Sequence, residues 1–338
     1  MHFDLDADQL ALRDAARALL DDLASPSRVR AVVDGPDGER VDTALWAAMV
    51  EQGWPGVATA ETSGGLGLGW VEACVLLEEV GAHVAPAPIL GTLVALDALA
   101  AAGRDVVSLL DGTGWAAVAS TGHREVVAHL PGAQVVVAVR GDELVAWDEP
   151  AATPEAALDR TRAMAWFDPD AAGAGTVLGG ADAVARHRRV GAVAHAAELL
   201  GCARRMLDDS VAYAKERVQF GKPIGSFQAV KHRCADMLVD VEGMRSAVWW
   251  AAWCVAAGHP DAEVAAATAK AWCSEAGPRV CESALQVHGG IGFTWECDVH
   301  LHLKRAQFDA GAFGDATSHL DRLADLLRGR VEAGRSVL

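Results

Sequence analysis

Two short stretches carry side chains suited to holding a ligand. The first is Arg217-Val218-Gln219-Phe220-Gly221-Lys222-Pro223-Ile224-Gly225-Ser226-Phe227-Gln228, with one guanidinium and two carboxamides around a glycine-rich turn. The second is Gln286-Val287-His288-Gly289-Gly290-Ile291-Gly292-Phe293, with three glycines in four positions. A guanidinium is a planar fork of donors. A carboxamide both donates and accepts. Glycines without a Cβ let a backbone come very near a ligand or another chain.

The elements that must position these groups are long helices. Val193, Ala197, Leu200, Ala203, Leu207, Val211 and Ala214 recur in steps of three and four before the first stretch. Phe227, Val230, Cys234, Met237, Val241, Met244 and Val248 do the same after it. Each set lies on one helix face. Gly221, Pro223 and Gly225 stop the first helix, and the Ser226 hydroxyl is expected to cap the second. Arg217, Gln219 and Gln228 then sit at a rigid junction of two packed helices, a good place from which to hold a ligand.

The remaining sequence divides into three parts. Residues 1–104 read as a helical domain, with apolar faces over Leu10–Leu20, Trp46–Glu51, Val71–Ala82 and Thr92–Ala102. The loop Gly64-Gly65-Leu66-Gly67 lacks the strand-then-helix setting of a dinucleotide site and reads as a tight turn. Residues 105–180 read as a small β domain, with short apolar strands at 115–119, 135–139, 144–147 and 163–167 separated by turn signals. Residues 181–338 read as a four-helix bundle: the two helices above, an alanine-rich helix over 261–287, and a last helix from about Asp298 with a break near Gly311 to Gly314. The fold class is mostly α with a small β domain.

With 338 residues, 51% of them hydrophobic, the chain can bury a substantial core. A net charge of -17 argues against nucleic acid and against an anionic membrane surface. No apolar run approaches the roughly 20 residues of a membrane span. Seven scattered cysteines without a CxxC pair read as reduced thiols, and the first residues lack a secretory signal, so a cytoplasmic location is expected. His300 and His302, two apart on a helix, point in different directions and do not suggest a metal site.

This order of parts, together with Arg217-Val218-Gln219-Phe220-Gly221, Phe227-Gln228 and Gln286 to Phe293, resembles the flavin-dependent acyl-CoA dehydrogenases. Gly53-Trp54-Pro55-Gly56, Gly64 to Gly67 and Leu77-Glu78-Glu79-Val80-Gly81 also match that family, so the resemblance covers nearly the whole chain. It implies N-terminal helical, central β and C-terminal bundle domains. It also implies a tetramer with FAD across subunit interfaces, an acyl-CoA thioester as substrate, and electron-transfer flavoprotein or a similar acceptor. By that resemblance Arg217, Gln219, Phe220, Gln228, Gln286, Gly289 and Gly290 hold the adenine and pyrophosphate end of the flavin. Other roles exist for single members of the set: Arg217 as a helix-end cation, Gln228 as a polar first-turn residue.

The departures from the family pattern carry as much as the matches. The β domain is short, and Ala117-Val118-Ala119-Ser120-Thr121-Gly122-His123 stands where the family carries Thr-Glu-x-x-x-Gly-Ser-Asp beside the flavin ring. The family also needs a carboxylate to take a proton from the carbon next to the thioester. At its usual place stands Phe313, followed by Gly314, and at the alternative place on the preceding helix stands Gly191. Asp315 and Glu296 are the acidic residues near these positions. The chain thus resembles the degenerate subunits of α2β2 acyl-CoA dehydrogenases of actinobacteria, many acting on steroid side-chain CoA thioesters. A companion dehydrogenase subunit would then supply the ring pocket and the base. A non-catalytic structural subunit, and an active homo-oligomer using Asp315 or Glu296, are the alternatives.

Overall fold

The computed structural model describes residues 4–36, 40–334 and 336. Helix α1 (Ala7–Leu23) starts where the Asp6 carboxylate accepts from the Gln9 amide at 2.9 Å, and the Gln9 side chain accepts from the Asp6 amide at 3.1 Å. This reciprocal pair satisfies two donors that the first turn leaves open. A short α2 (Pro26–Val33) follows, then α3 (Thr43–Glu51), capped by Asp42. Helices α4 (Trp70–Ala82) and α5 (Ile89–Ala101) are almost entirely buried, and a single turn, α6 (Val107–Leu110), closes this part.

The β part has six strands: β1 (Ala116–Val118), β2 (Glu125–Ala128), β3 (Val135–Arg140), β4 (Glu143–Asp148), β5 (Met164–Phe167) and β6 (Thr176–Gly179). Four of them form a sheet in the order β1-β3-β4-β6, with β1 parallel to β3 and the other pairs antiparallel. β2 and β5 pair separately and cover the other side of this sheet. Val135 to Val139 are all buried because both faces are covered, one by α5 and the start of the next helix, the other by the β2–β5 ribbon. β2 and β6 lie where the sequence pattern showed only connecting segments.

Four long helices and a shorter one complete the chain. α7 (Ala181–Glu216) leads into a tight hairpin, β7 (Val218–Gln219) and β8 (Lys222–Pro223), and α8 (Gln228–Ala256) returns. α9 (Ala262–His288) runs back again, and the expected last helix is divided into α10 (Val299–Gly311) and α11 (Ala316–Glu332). The expected cap at Ser226 is not formed. Ser226 belongs to a 3-10 turn over Ile224–Ser226, and the extended backbone at Phe227 (φ -82°, ψ 135°) marks the true start of α8, one residue later. The α8 amides of Val230 and Lys231 bond to the Phe227 carbonyl instead.

One continuous core joins the N-terminal helices to the bundle. Its tightest point is the crossing of α4 and α7. A Cβ on Gly81 would fall 2.0 Å from the Glu198 carbonyl oxygen, and one on Gly201 would fall 1.9 Å from the Glu78 carbonyl oxygen. Both glycines are therefore set by contact of two backbones. Among the described residues no helix is long and apolar enough to cross a membrane.

Candidate functional site

α7, α8 and α9 run up, down and up, so the bundle has two distinct ends. At one end lie the end of α7, the β7–β8 hairpin, the start of α8 and the end of α9. At the other lie the starts of α7, α9 and α11. The expected site residues divide between these ends.

At the hairpin end the two sequence stretches, 69 residues apart from Arg217 to Gln286, come together. Tyr213, one turn before Arg217, stacks on His288, next to Gly289, with ring centroids 4.5 Å apart and planes at 21°. Arg217, Gln219, Phe220, Gln228, Gln286 and Gly290 are all exposed. Among the described residues the Arg217 side chain makes no hydrogen bond or ion pair, and its guanidinium is free to take an outside acceptor. Gln219 donates its amide to the Val218 carbonyl at 2.8 Å. Phe220, 92% exposed and at φ 53°, meets Phe227 edge-on at 6.1 Å. No atom lies within 4 Å of where a Cβ would stand on Gly289 or Gly290, so the backbone there is open to close approach. Over its first two turns, residues 228–236, α8 has no buried residue. This end is a surface built of donors, open backbone and uncovered apolar groups, and it fits the phosphate and adenine portion of a dinucleotide.

At the other end Gly191 and Phe313 meet. A Cβ on Gly191 would lie 2.0 Å from the Phe313 ring. The two positions that hold a base in the family pattern thus share one space, and an aromatic ring fills it. Phe313 is buried and held at φ 57°, a strained conformation for a bulky residue. His187 and His195 flank its ring at 5.2 Å and 5.4 Å. His187 Nε2 donates to the Ala119 carbonyl at 2.9 Å, and burial pushes its pKa down to about 4, so it is a neutral wall of the site at pH 7. Behind Phe313 the remaining cavity is about 40 Å³, room for a few waters and not for an acyl chain. Asp315 caps α11, accepting from the Ser318 amide at 2.8 Å and its hydroxyl at 2.6 Å. Glu296 is exposed beside the Gly289–Gly292 turn.

Below this pair the structure assembles a buried ionic cluster that no sequence motif marked. Arg162, from the segment before β5, bonds Asp309 at 2.7 Å and also Glu198. Arg305 bonds Glu198 at 2.6 Å and Asp159 at 3.0 Å, and also reaches Thr161. His195 Nδ1 donates to Asp309 at 3.1 Å. Burial alone would raise the Asp309 carboxyl, but Arg162 and His195 hold it well below the usual carboxylate range. His195, Glu198 and Asp309 lie close enough to resemble a metal cage. Their oxygens face two guanidiniums, which already supply the positive charge, so the cluster is an ion-pair network tying the β part to α7 and α10. The available signal was a charge inside an apolar run, as with Glu198 between Ala197 and Leu199.

Fold and site together define a flavin-type dehydrogenase scaffold with one end intact and one end filled. The sequence matches "Acyl-CoA dehydrogenase, N-terminal domain" over residues 6–107 and "Acyl-CoA dehydrogenase, C-terminal domain" over residues 179–336. It is 39% identical over 319 residues to the acyl-CoA dehydrogenase IpdE2 of Mycolicibacterium smegmatis, covering 92% of this chain and 96% of that protein. Among solved structures it is similar to the Tcur3481-Tcur3483 steroid ACAD G363A variant (TM-score 0.87, 31% identity, 96% and 99% of the two chains). It is also similar to the ChsE4-ChsE5 complex of Mycobacterium tuberculosis (TM-score 0.88, 27% identity, 97% and 99%). The chain belongs to the acyl-CoA dehydrogenase family, whose members are FAD-dependent flavoproteins. The expected fold class, mostly α with a small β domain, is the fold of that family.

Proposed function

We propose that this chain is one subunit of a heteromeric FAD-dependent acyl-CoA dehydrogenase, an α2β2 assembly with a homologous subunit. It supplies the adenine and pyrophosphate half of an interface FAD site, and the partner supplies the flavin-ring pocket and the catalytic glutamate. The observation that carries this reading is the Phe313 ring seated on Gly191, where the family pattern places its base. The cofactor, when bound, supplies hydride acceptance. This chain's residues hold its non-reacting end: Arg217 as a fork to pyrophosphate oxygens, Gln228 and Gln286 as donors and acceptors, Gly289 and Gly290 as open backbone.

A distance supports the division of labour. Gly191 and Arg217 lie on one straight helix, 26 residues apart, or about 39 Å at 1.5 Å per residue. One flavin cannot use both ends of the same α7, so the Arg217 end faces a cofactor whose reacting ring lies on another chain. The similar structures described as a steroid ACAD and as a two-protein complex support a steroid side-chain CoA thioester as the substrate class. A protein of the electron-transfer flavoprotein type would take the electrons.

The test is expression of this chain alone and with its companion dehydrogenase, followed by flavin absorbance. The expected result is a colourless chain alone and a yellow heterotetramer holding FAD at only one of its two kinds of interface site. A yellow chain that oxidises an acyl-CoA by itself would overturn the reading.

A further inference from the structure

Phe313 lines a second, larger recess at the end of the bundle opposite Arg217. It has a volume of about 570 Å³ and opens between the β3–β4 turn and the starts of α7, α9 and α11. Small-molecule sites span about 300–1,000 Å³. Its floor is apolar and buried: Val184, Ala192, Ala266, Ala267 and the Phe313 ring. Its walls carry Arg188, Arg189, Arg322 and His319. In a chain of net charge -17, three guanidiniums around one recess are a local reversal of sign.

The acids on the same walls do not neutralise this set. They are Asp142 and Glu263, and Glu263 is shared between Arg189 at 2.5 Å and Arg322 at 3.4 Å. Arg188 has no carboxylate partner among the described residues. Its Nε donates to the Ser120 carbonyl at 3.2 Å, which leaves both Nη groups for another acceptor. Arg189 Nε is buried without an acceptor. Ala181, the first residue of α7, is also at the recess, and this helix of 36 residues starts without a side-chain cap. Its positive end adds to the guanidinium field, with Asp182 of the first turn offsetting part of it.

We propose that this recess binds a small organic phosphate, its apolar group on the alanine and Phe313 floor and its phosphate between Arg188 and Arg322. Two guanidinium forks match the several oxygens of a phosphate better than the two of a carboxylate. An inorganic anion would leave the apolar floor in water. The site is separated from the Arg217 end by most of the length of α7 and does not depend on the shared-flavin reading.

The test is calorimetric titration of 1-naphthyl phosphate, which carries no adenine, into the complex of this chain with its companion. The expected result is binding at least tenfold tighter than that of inorganic phosphate. Arg188→Gln and Arg322→Gln, both at exposed side chains, should each weaken it at least tenfold, and Arg217→Ala should leave it unchanged. Absence of binding, equal affinity for inorganic phosphate, or insensitivity to both arginine substitutions would overturn the proposal. Loss of binding in Arg217→Ala would do so as well, by moving the ligand to the other end.

Discussion

Lys270 Nζ donates to the Gly314 carbonyl oxygen at 2.7 Å from a side chain with no solvent exposure. It also bonds the Ala310 carbonyl at 2.9 Å and the Ser274 hydroxyl at 2.7 Å. Gly314 follows Phe313, so a buried ammonium fixes the turn that presents the ring to Gly191. Burial pushes the Lys270 pKa from 10.5 down to about 8, with Asp309 opposing the shift. Between these two values the unfolded chain binds the proton that the folded chain has lost. This group therefore makes stability rise with pH from about 8 to 10.5 and adds no slope below 8. The gain is at most about 3 kcal/mol over that window, at about 1.4 kcal/mol per pH unit. Urea melts of the wild type and Lys270→Met from pH 7.5 to 10 check it: the difference between the two should move in favour of the wild type as pH rises.

The Gly191–Phe313 contact predicts a change of sign. Alanine in place of a helical glycine ordinarily stabilises by about 0.5–1 kcal/mol. Here Gly191→Ala drives a methyl into the ring and should cost about 1–3 kcal/mol. In a Phe313→Ala background, itself destabilised by about 3–5 kcal/mol, the same substitution should become neutral or stabilising. A double-mutant cycle by urea denaturation measures this coupling. Simple additivity of the two costs would mean that the ring does not rest on Gly191 in solution.

How much of this was legible in the sequence depended on whether the signal was local. The apolar spacing from Val193 to Ala214 and from Met237 to Val248 placed α7 and α8 correctly because each stripe faces one core. β6 was missed because its four residues are exposed or half-buried, and β2 because only Val127 of its four is buried, so neither shows alternation. The cap at Ser226 was misplaced by one residue because a 3-10 turn intervenes, and turn type is decided by φ and ψ, not composition. Phe313 and Gly191 could be marked as departures from a family pattern, but their contact joins positions 122 residues apart and needed the fold. The same holds for Arg162, whose partner Asp309 lies 147 residues away, and for the recess at Arg188, Arg189 and Arg322.

The buried ionic cluster should be intolerant of losing one partner. Arg305→Met leaves Glu198 with one guanidinium and removes the ion-pair partner that Asp159 reaches at 3.0 Å. Leaving buried charge uncompensated costs about 3–5 kcal/mol, measurable as a lower urea midpoint at pH 7. The acid limb follows from Asp309. Its folded pKa is depressed, so its contribution is complete above the ordinary carboxylate range, near pH 4, and is lost as pH falls below that. Asp309→Asn should lower stability at pH 7 and flatten the acid limb of the stability curve.

The hairpin end gives the sharpest separation of binding from folding. The Arg217 side chain is exposed and makes no ion pair among the described residues, so Arg217→Ala should leave the melting temperature of the apo-complex unchanged. A charge-assisted bond to phosphate is worth about 1.5–3 kcal/mol, so FAD affinity should fall by about 10–100-fold. Gln286→Ala removes a neutral hydrogen bond and should cost about 2–10-fold on the same reasoning. Both effects are read by flavin absorbance after dialysis against a series of free FAD concentrations. Phe313→Glu, about 39 Å away along α7, should change neither value, because the ring of the bound flavin belongs to the partner. If Arg217→Ala instead left FAD content intact, the chain would be a structural subunit whose conserved-looking donors serve only subunit contact.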